Sequence, residues 1–367
     1  REATIATGRA FHTGKRILFV LPVVDAGGGA NVIIEEALSM IAMGVDVQIF
    51  NLEKYGKQFK ASYPDLTIPL MLGDETDLVE ISRDFDAVVA SANFSVPWLQ
   101  PLARIPNGPV LGYYVQGYEP LMYPDHPDMA EQARLSYTLI PSMRNFTKTH
   151  WTQKEVFANT GNQPDIIGIS INIDRYRPFH TRPLSGAHPV NIAAMVRTNS
   201  EYRNPEGTMA ILKEIKQKYG SAVSIELFGT DDLKADISKE NQNFRWNNYG
   251  KLNPMQVAML MSQSDIFVDF SYHQAMGLTA LEAMSAACAV IVPSNGGAIE
   301  FVQDKINGMV VDTSDQALSL QALDTLVSDH DLRHGFQVAG MRSVMSYYPE
   351  KAALNILGVL FTKRPER

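Results

Sequence analysis

The sequence predicts an α/β protein made of two Rossmann-like halves. In each half, apolar strand segments alternate with amphipathic helical segments, which indicates parallel sheets with right-handed crossovers. The length of 367 residues suits two domains, and 45% hydrophobic with 20% charged residues are globular values. A proline-rich stretch at 178–189 predicts the interdomain connection. We therefore expect domains at 1–178 and 179–345, followed by a terminal helix within 346–367, and a ligand cleft between the domains.

Composition narrows the class of function. The formal net charge of −8 argues against a general nucleic-acid binder. Cys288 is the single cysteine, so the chain cannot form an internal disulfide, and a reducing compartment is expected. There is no run of 18 apolar residues, so no transmembrane helix is predicted. We expect a cytoplasmic protein.

The first half opens with a polar stretch, 1–14, which we expect to be a loose arm. An apolar strand at 16–21 leads through a glycine loop into a helix that Asn31 is expected to cap, and a second strand follows at 45–50. Segment 116–127 is expected to be a long surface loop. The remaining expected strands are 87–90, 110–115, 137–141 and 166–169, and the expected helices are 95–102, 127–137, 144–149 and 152–159.

The second half repeats the alternation after the proline-rich stretch. Its pattern predicts parallel strands joined by helices, with glycine turns at several strand ends. The expected strands are 190–196, 223–228, 266–270, 289–293 and 309–312, and the expected helical segments are 205–219, 254–262, 278–287, 315–345 and 349–363.

The triplet Gly27-Gly28-Gly29 precedes the first long helix. Gly28 and Gly29 permit close backbone approach to a phosphate or sugar, which a side chain would block. The dinucleotide fingerprint requires a small residue three positions after its second glycine, and Val32 stands there instead. The alternative interpretation is an ordinary tight turn.

Segment 273–284 carries the clearest binding signal. It joins the strand at 266–270 to a helix through Gly277, so Leu278 and Thr279 stand in the first helical turn, preceded by Met276. Free N–H groups at such a turn favour phosphate, and open α/β sheets bind ligands at the carboxyl ends of their strands. Glu282 lies early in the same helix. The alternative is a plain strand–loop–helix connection with one solvated glutamate.

Two arginines flank another strand-to-helix loop. Arg197 follows the strand at 190–196, and Arg203 precedes the helix that Pro205 begins. Paired guanidinium groups suit a diphosphate because each offers forked, permanently charged donors. Gly229 follows the strand at 223–228, Lys251 follows Gly250 at another expected strand end, and both join the candidate donor site. The alternative for Lys251, which is the weaker candidate, is an ordinary surface lysine. The alternative for the arginines is a solvated loop.

Other catalytic patterns are missing from the sequence. Asp84-Phe85-Asp86 precedes a strand with no further ligand cluster, so we interpret it as strand entry and expect no metal site. The eight histidines show no zinc spacing. Neither a Gly-x-Ser-x-Gly elbow nor a Walker loop is present.

The combined pattern resembles the GT-B glycosyltransferases of the large retaining group called family 4. The strongest part runs from Ser271 through Gln274-Ala275-Met276-Gly277 to Glu282-Ala283-Met284, and continues with Asn295-Gly296-Gly297 and Glu300. The pair Asn307-Gly308, the segment Asn172-Ile173-Asp174 and Arg197 also fall where the family has them.

This resemblance implies a fold, a reaction and a set of site residues. Two Rossmann-like domains would face each other across a cleft, with the terminal helix crossing back to the first domain. The second domain would bind a nucleotide diphosphate sugar: Glu282 at the ribose, and Arg197, Arg203 and the helix N-terminus after Gly277 at the diphosphate. Transfer would proceed with retention, without metal or a separate cofactor, to a glycan or lipid-linked glycan on the first domain.

The chain departs from the family at three positions. Arg203, slightly displaced, stands for the lysine that usually follows the arginine in the family. Gln274 replaces the first acidic residue of a paired-glutamate motif and would face the donor sugar, and Gln116 replaces a histidine. With an amide at Gln274, the sequence also resembles bacterial rhamnosyltransferases, which build cell-surface polysaccharides from dTDP-L-rhamnose. Such a role is compatible with peripheral association at the inner face of a membrane, and it leaves the oligomeric state open.

Two other functions stay open from the sequence. One is an NAD(P)-dependent oxidoreductase, against which Val32 and the second-half motif both argue. The other is a non-catalytic sugar-nucleotide-binding protein, motivated by Gln274 in place of a carboxylate.

Overall fold

The computed structural model describes residues 1–179 and 189–362, which divide into two units. Unit 1 takes in Arg1–Ser170 and the end of the chain from Tyr347, and unit 2 is Ile171–Ser346. The expected first domain ended at 178, so residues 171–178 belong to unit 2 instead. The reason is local packing: Tyr176 is buried, and its carbonyl oxygen accepts a hydrogen bond from the Ser285 hydroxyl. Most of the expected connection at 178–189 lies outside the described residues.

Unit 1 contains, among its described residues, a seven-stranded parallel sheet in the order β3-β2-β1-β4-β5-β6-β7. Its strands are β1 Arg16–Val20, β2 Asp46–Leu52, β3 Leu70–Gly73, β4 Ala87–Ala90, β5 Val110–Val115, β6 Arg144–Thr147 and β7 Asp165–Ile166. Its helices in chain order are α1 Glu2–His12, α2 Gly28–Ala42, α3 Glu53–Ser62, α4 Leu78–Ile81, α5 Pro127–Ser136 and α6 His150–Thr160.

Unit 2 repeats this design with six parallel strands in its described part, in the order β10-β9-β8-β11-β12-β13. Its strands are β8 Val190–Met195, β9 Val223–Phe228, β10 Asn247–Asn248, β11 Ile266–Val268, β12 Ala289–Pro293 and β13 Met309–Val311. Its helices are α7 Pro205–Tyr219, α8 Leu233–Asp236, α9 Pro254–Gln263, α10 Leu278–Ser285, α11 Gln316–Ser328 and α12 His330–Val344. Two doubly wound parallel sheets confirm the predicted α/β fold class.

The last helix, α13 (Pro349–Phe361), packs on unit 1, with Ile356, Leu357 and Leu360 fully buried. Arg144 caps its carboxyl end, because one guanidinium nitrogen donates to the carbonyl oxygens of Val359 (2.6 Å) and Leu360 (2.9 Å). Positive charge at a helix carboxyl end also complements the helix dipole. Lys363, the expected last residue of this helix, lies outside the described residues.

The first half contains the main errors in the sequence-based prediction. The expected arm at 1–14 forms helix α1, the expected strand at 137–141 is not a strand, and the expected helix at 144–149 begins as strand β6. This strand lies between β5 and β7 and is mostly buried, but it carries polar side chains. Asn145 donates to the Tyr137 carbonyl oxygen (2.8 Å) and Thr147 to that of Val115 (2.9 Å), so burial costs little.

Other differences are smaller. Helix α2 starts at Gly28, before the expected cap Asn31, whose side chain accepts a hydrogen bond from the Tyr63 hydroxyl at 2.7 Å. The expected surface loop at 116–127 contains a short 3₁₀ helix, Glu119–Met122, and the Glu119 side chain is buried. Helices α3, α4 and α8 and strand β3 were not predicted from the sequence, and β10 was predicted only as a strand end before Lys251.

The apolar core of unit 2 holds its strand ends in place. One face of the sheet packs against α7 and α11, which bury Met209, Leu212 and Leu323 against Ile225 and Val268. Because this packing is mainly apolar and buried, the loops at the carboxyl edge of the sheet start from fixed positions. Along the described chain, no helix combines the length and apolar character that crossing a membrane requires.

Candidate functional site

The order of strands in unit 2 reverses between β8 and β11. In open α/β sheets the connections from two such strands run to opposite sides and leave a crevice at their carboxyl ends. Arg197 lies two residues beyond β8, and Asp269 directly follows β11. The sheet therefore brings together two of the loops that the sequence analysis selected.

Hydrogen bonds tie the loop after β8 to the end of β11. Asn204 has a left-handed backbone (φ +50°) and caps α7, its side-chain oxygen accepting from the Gly207 N–H at 3.2 Å. Its amide nitrogen donates to the Phe270 carbonyl oxygen at 3.1 Å. The Tyr272 N–H donates to the Tyr202 carbonyl oxygen at 2.8 Å. Sequence analysis missed Asn204, although an Asn-Pro pair before a helix is a known capping signal.

Arg197 and Arg203 form an uncompensated pair of positive charges. Burial, and then the charge of Arg203, lowers the pKa of the Arg197 guanidinium. The Arg197 Nε atom is buried without a hydrogen-bond partner. In the part of the chain that the structure describes, no carboxylate forms an ion pair with either residue. Two cations partly removed from water favour a bound anion.

An aromatic stack supports Arg203. Its guanidinium carbon lies 5.3 Å from the centre of the Tyr202 ring, and this ring stacks on His273 with centroids 4.8 Å apart. Burial, followed by the charge of Arg203, lowers the pKa of His273. The imidazole is therefore neutral near pH 7 and adds no third charge. Tyr202 was not selected from the sequence, and His273 was selected only as the first residue of segment 273–284, without a role of its own.

Gly277 shapes the start of α10. It has a left-handed backbone (φ +79°), and a Cβ there would lie 3.0 Å from the Ala298 Cβ. No side chain caps this helix, and its first turn, which begins with Leu278 and Thr279, contains no acidic residue. Half-buried Met276 precedes the turn. An uncapped helix N-terminus presents N–H groups and a partial positive charge to an anion.

The loop before Gly277 is fixed to a neighbouring glycine turn. The Gln274 N–H donates to the Asn295 carbonyl oxygen (3.3 Å), and the Gly297 N–H donates to the Gln274 carbonyl oxygen (2.8 Å). A Cβ at Gly296 (φ +136°) would overlap the Gln274 backbone. The close approach therefore requires glycine, and it fixes Gln274 beside the helix start.

Glu282 is buried in the fifth position of α10, with 5% of its surface exposed. Burial raises its pKa to about 7, although a hydrogen bond with Tyr176 and the charge of Arg175 oppose the shift. The segment 171–178 thus contacts the carboxylate that was expected to bind ribose.

Gly229 and Lys251 occupy different kinds of position. Gly229 (φ +111°) lets the loops after β8 and β9 approach, because a Cβ there would lie 2.8 Å from the Val196 carbonyl oxygen. The Lys251 side chain is exposed, and only its backbone N–H is held, by the Asp231 carboxylate at 2.9 Å. No hydrogen bond or ion pair connects Lys251 to the two arginines in the described chain.

The first-half glycines belong to unit 1. Gly28 is the exposed first residue of α2, and a Cβ on Gly29 would lie 3.4 Å from the Gln116 side chain. The Gln116 amide nitrogen is buried without a hydrogen-bond partner. Gly29 and Gln116 therefore meet at the carboxyl edge of this sheet, after β1 and β5.

The two-unit α/β fold matches solved GT-B glycosyltransferases. The Anabaena protein HepE, solved in complex with UDP-glucose, matches with a TM-score of 0.78 at 15% identity, covering 95% of this chain and 100% of that one. The likeness establishes the fold. Residues 181–342 match the family model described as "Glycosyl transferases group 1". That match lies within unit 2.

Curated relatives align over shorter stretches. A sucrose synthase of Melioribacter roseus is 25% identical over 203 residues, which are 50% of this chain and 25% of the relative. A D-inositol 3-phosphate glycosyltransferase of Salinispora arenicola is 28% identical over 100 residues, 27% of this chain and 22% of the relative. The chain therefore spans about a quarter of the length of these two relatives.

Proposed function

We propose that the protein is a glycosyltransferase that takes a sugar from a nucleotide diphosphate donor bound at the carboxyl edge of unit 2. The observation that carries the proposal is the pair Arg197 and Arg203, uncompensated by any carboxylate of the described chain, in the unit whose α10 begins uncapped at Gly277. A diphosphate supplies the missing negative charge. The match of residues 181–342 to a glycosyltransferase family model supports the same assignment.

The arginines act on the leaving group. As the bond between the sugar C1 and the diphosphate oxygen breaks, negative charge develops on the β-phosphate, and fixed donors there lower the barrier. The two arginines and the helix N-terminus perform this task without metal. Glu282 binds the ribose hydroxyls once the segment carrying Tyr176 makes room.

We further propose transfer with retention. Asp269, the carboxylate at the end of β11, is held at one oxygen by the N–H and O–H groups of Ser271, which weakens it as a nucleophile. The acceptor oxygen therefore attacks C1 on the face that the diphosphate leaves. Its proton passes to an oxygen of the departing β-phosphate, so the charges balance.

The proposed donor is dTDP-L-rhamnose, and the proposed acceptor is a glycan or lipid-linked glycan. Gln274 offers a neutral amide where a carboxylate would grip more hydroxyl groups, and Ala275 adds no polar group, so a deoxysugar fits this surface. Relatives with a glucose donor in their printed names or titles make UDP-glucose the necessary comparison. Action in the cytoplasm, with acceptors reached at a membrane surface, completes the proposal.

Calorimetric titration with dTDP-L-rhamnose, UDP-glucose, their free diphosphates and NAD(P)H tests the donor class. We expect binding of nucleotide sugars and no change of NAD(P)H fluorescence. Tight binding of NAD(P)H alone would overturn the proposal in favour of an oxidoreductase. Product analysis by NMR then gives the anomeric configuration, and full activity in excess EDTA is expected.

Arg197→Ala tests the site itself. We expect kcat to fall by roughly 10²–10³, the range for loss of one electrostatic stabiliser of a transition state. Arg245→Ala is the matched control, since Arg245 is an exposed arginine of the same unit. Near-normal turnover in Arg197→Ala, with Arg245→Ala also normal, would contradict the assigned role.

A further inference from the structure

Three polar side chains form a hydrogen-bonded chain between the end of β11 and the start of α10. The Asp269 Oδ1 atom accepts from the Ser271 N–H (3.1 Å) and from the Ser271 hydroxyl (2.5 Å). The Ser271 Oγ atom accepts in turn from the Gln274 Nε2 atom at 3.0 Å. Ser271 and Gln274 are both more than nine-tenths buried.

The direction of each hydrogen bond follows from the carboxylate. An ionised carboxylate only accepts hydrogen bonds, so the single hydroxyl hydrogen of Ser271 must point to Asp269. The Ser271 oxygen can then only accept from Gln274, which turns the amide nitrogen towards Ser271. Asp269 therefore determines, through Ser271, where the Gln274 carbonyl oxygen points.

That carbonyl oxygen is left for a ligand. Among the described residues, Gln274 makes its side-chain hydrogen bond through Nε2, and no protein group donates to Oε1. Although the residue as a whole is 8% exposed, this oxygen is not one of the fully buried, unpartnered atoms of the described residues, so it keeps contact with solvent and a ligand hydroxyl can reach it. The side chain stands three residues before Gly277, at the helix start assigned to the donor.

The hydrogen bonds from Gln274 through Ser271 to Asp269 also explain why an amide occupies position 274. A glutamate there would place a second carboxylate against the Ser271 oxygen, and two carboxylates would share one hydroxyl hydrogen. Like charges in a buried setting repel strongly. The negative charge stands at Asp269 instead, and Gln274 stays neutral.

We propose that Asp269 and Ser271 are positioning residues that fix the Gln274 amide, so that its carbonyl oxygen accepts a hydroxyl group of the donor sugar. Gln274 is then the residue that discriminates between donor sugars, and the charge on Asp269 is what keeps its orientation unique. This inference rests on the proposed glycosyltransferase function.

The test measures two quantities for each variant: kcat/KM with the preferred nucleotide sugar, and Kd for its free nucleoside diphosphate. Ser271→Ala removes the hydroxyl group that links Asp269 to Gln274. We expect kcat/KM to fall about tenfold, the effect of one lost hydrogen bond. Kd for the free diphosphate should stay within about twofold, because the sugar contact is absent from that ligand.

The segment after β13 offers a matched control. The Ser314 N–H and hydroxyl donate to the Asp312 Oδ1 atom at 3.0 and 2.6 Å, which is the same local motif without a glutamine on the serine. Ser314→Ala should leave both quantities unchanged. Equal losses in Ser271→Ala and Ser314→Ala, or a parallel loss of diphosphate affinity, would reduce the motif to a local turn and overturn the proposal.

A double-mutant cycle separates positioning from simple damage. Gln274→Glu should lower kcat/KM about tenfold or more through competition for the Ser271 hydrogen. Adding Asp269→Asn removes the competing charge, and we expect the double variant to recover at least about fivefold over Gln274→Glu. Additive losses would overturn the positioning role of Asp269 and Ser271 while leaving the glycosyltransferase proposal intact. A wild-type protein that binds no nucleotide sugar would instead overturn the function and the positioning role together.

Discussion

The sheets of the two units have the same strand order, apart from one additional strand in unit 1, but they differ in whether their buried charges are compensated. In unit 1 the order reverses between β1 and β4, and in unit 2 between β8 and β11. Close to the carboxyl edge of the first sheet, Lys148 is 5% exposed and its ammonium group lies 2.5 Å from the Glu36 carboxylate. At the same edge of the second sheet, Arg197 has a buried Nε atom without a partner.

The network of unit 1 is complete. The Lys148 ammonium group also donates to the Ser170 hydroxyl oxygen at 2.8 Å, while the Tyr114 hydroxyl donates to the Glu36 Oε2 atom at 2.7 Å and the Ser170 hydroxyl donates to Oε1 at 2.7 Å. Burial lowers the pKa of Lys148, and Glu36 opposes this shift. Here the fold itself satisfies the charge, so the residues hold α2, β5, β6 and the end of unit 1 together.

The contrast separates structural from functional charge. Removing one partner of a buried ion pair leaves the other charge buried without compensation, which strongly destabilises the fold. Both residues of such a pair are therefore needed for stability. A cation left without a partner at a strand edge lowers stability slightly and supplies binding energy for an anion. Three predictions follow this contrast from the largest expected effect to the smallest.

The first prediction compares Lys148→Met with Arg197→Met. Lys148→Met leaves the Glu36 carboxylate buried without its cation, so the free energy of unfolding should fall by about 3–5 kcal/mol. Arg197→Met removes a charge that has no partner, so the change should stay below about 1 kcal/mol. Urea unfolding followed by circular dichroism measures both. Equal destabilisation by the two variants would break the comparison.

The second prediction concerns Glu282. Burial raises the pKa of its carboxyl group to about 7. Between the unfolded value of 4.5 and this folded value, the native state holds a proton that the unfolded state releases. Stability from this group is therefore complete below pH 4.5 and is lost as the pH rises through 7, by about 3 kcal/mol.

Glu282→Gln should remove that part of the pH dependence, because the amide mimics the protonated acid. The measurement is the free energy of unfolding at several pH values between 4 and 8. Glu119 in unit 1 is the matched carboxylate: burial raises its pKa too, but Asn93 and Tyr113 donate to it and oppose the shift. Identical pH profiles of wild type and Glu282→Gln would refute the prediction.

The third prediction contrasts two glycines that the sequence analysis treated alike. Gly277→Ala should cost about 1–2 kcal/mol, because alanine resists the left-handed backbone (φ +79°) and its Cβ would press on Ala298. Gly29→Ala should be neutral or stabilise by up to about 1 kcal/mol, since Gly29 lies within α2, where alanine is favoured. Thermal unfolding of the two variants measures the difference, and a larger loss in Gly29→Ala would contradict it.

The sequence predicted unit 2 more accurately than unit 1, for a physical reason. Strands β9 and β12 and helix α7 begin and end where the apolar pattern placed them, because they carry continuous apolar runs or clean helical periodicity. Strand β6, with Asn145 and Thr147, shows no such pattern. Its polar side chains are satisfied by backbone carbonyl groups of other segments: Tyr137 lies 8 residues before Asn145, and Val115 lies 32 residues before Thr147.

The candidate site was likewise predictable only where local sequence patterns carry the signal. Local chemistry was enough to select Arg197, Arg203, Gly277 and Glu282, since each follows a strand or lies at or near the start of a helix. Gln274 was selected only from the resemblance to a glycosyltransferase family. The sequence alone also determined the α/β class and its division into two halves, through periodicities that depend only on neighbouring residues.

Tertiary structure decided which charges are compensated. Nothing in the chain order reveals that Lys148 meets Glu36, that Arg197 lacks a carboxylate, or that Asp269 reaches Gln274 through Ser271. The pairing of Lys148 with Glu36 depends on strand order and burial, which bring together groups that are 112 residues apart. The contacts of Asp269, Ser271 and Gln274 lie within one loop and depend on its folded conformation. The interaction of a charge depends on its distance to other charges and on the surrounding dielectric, and both are properties of the fold.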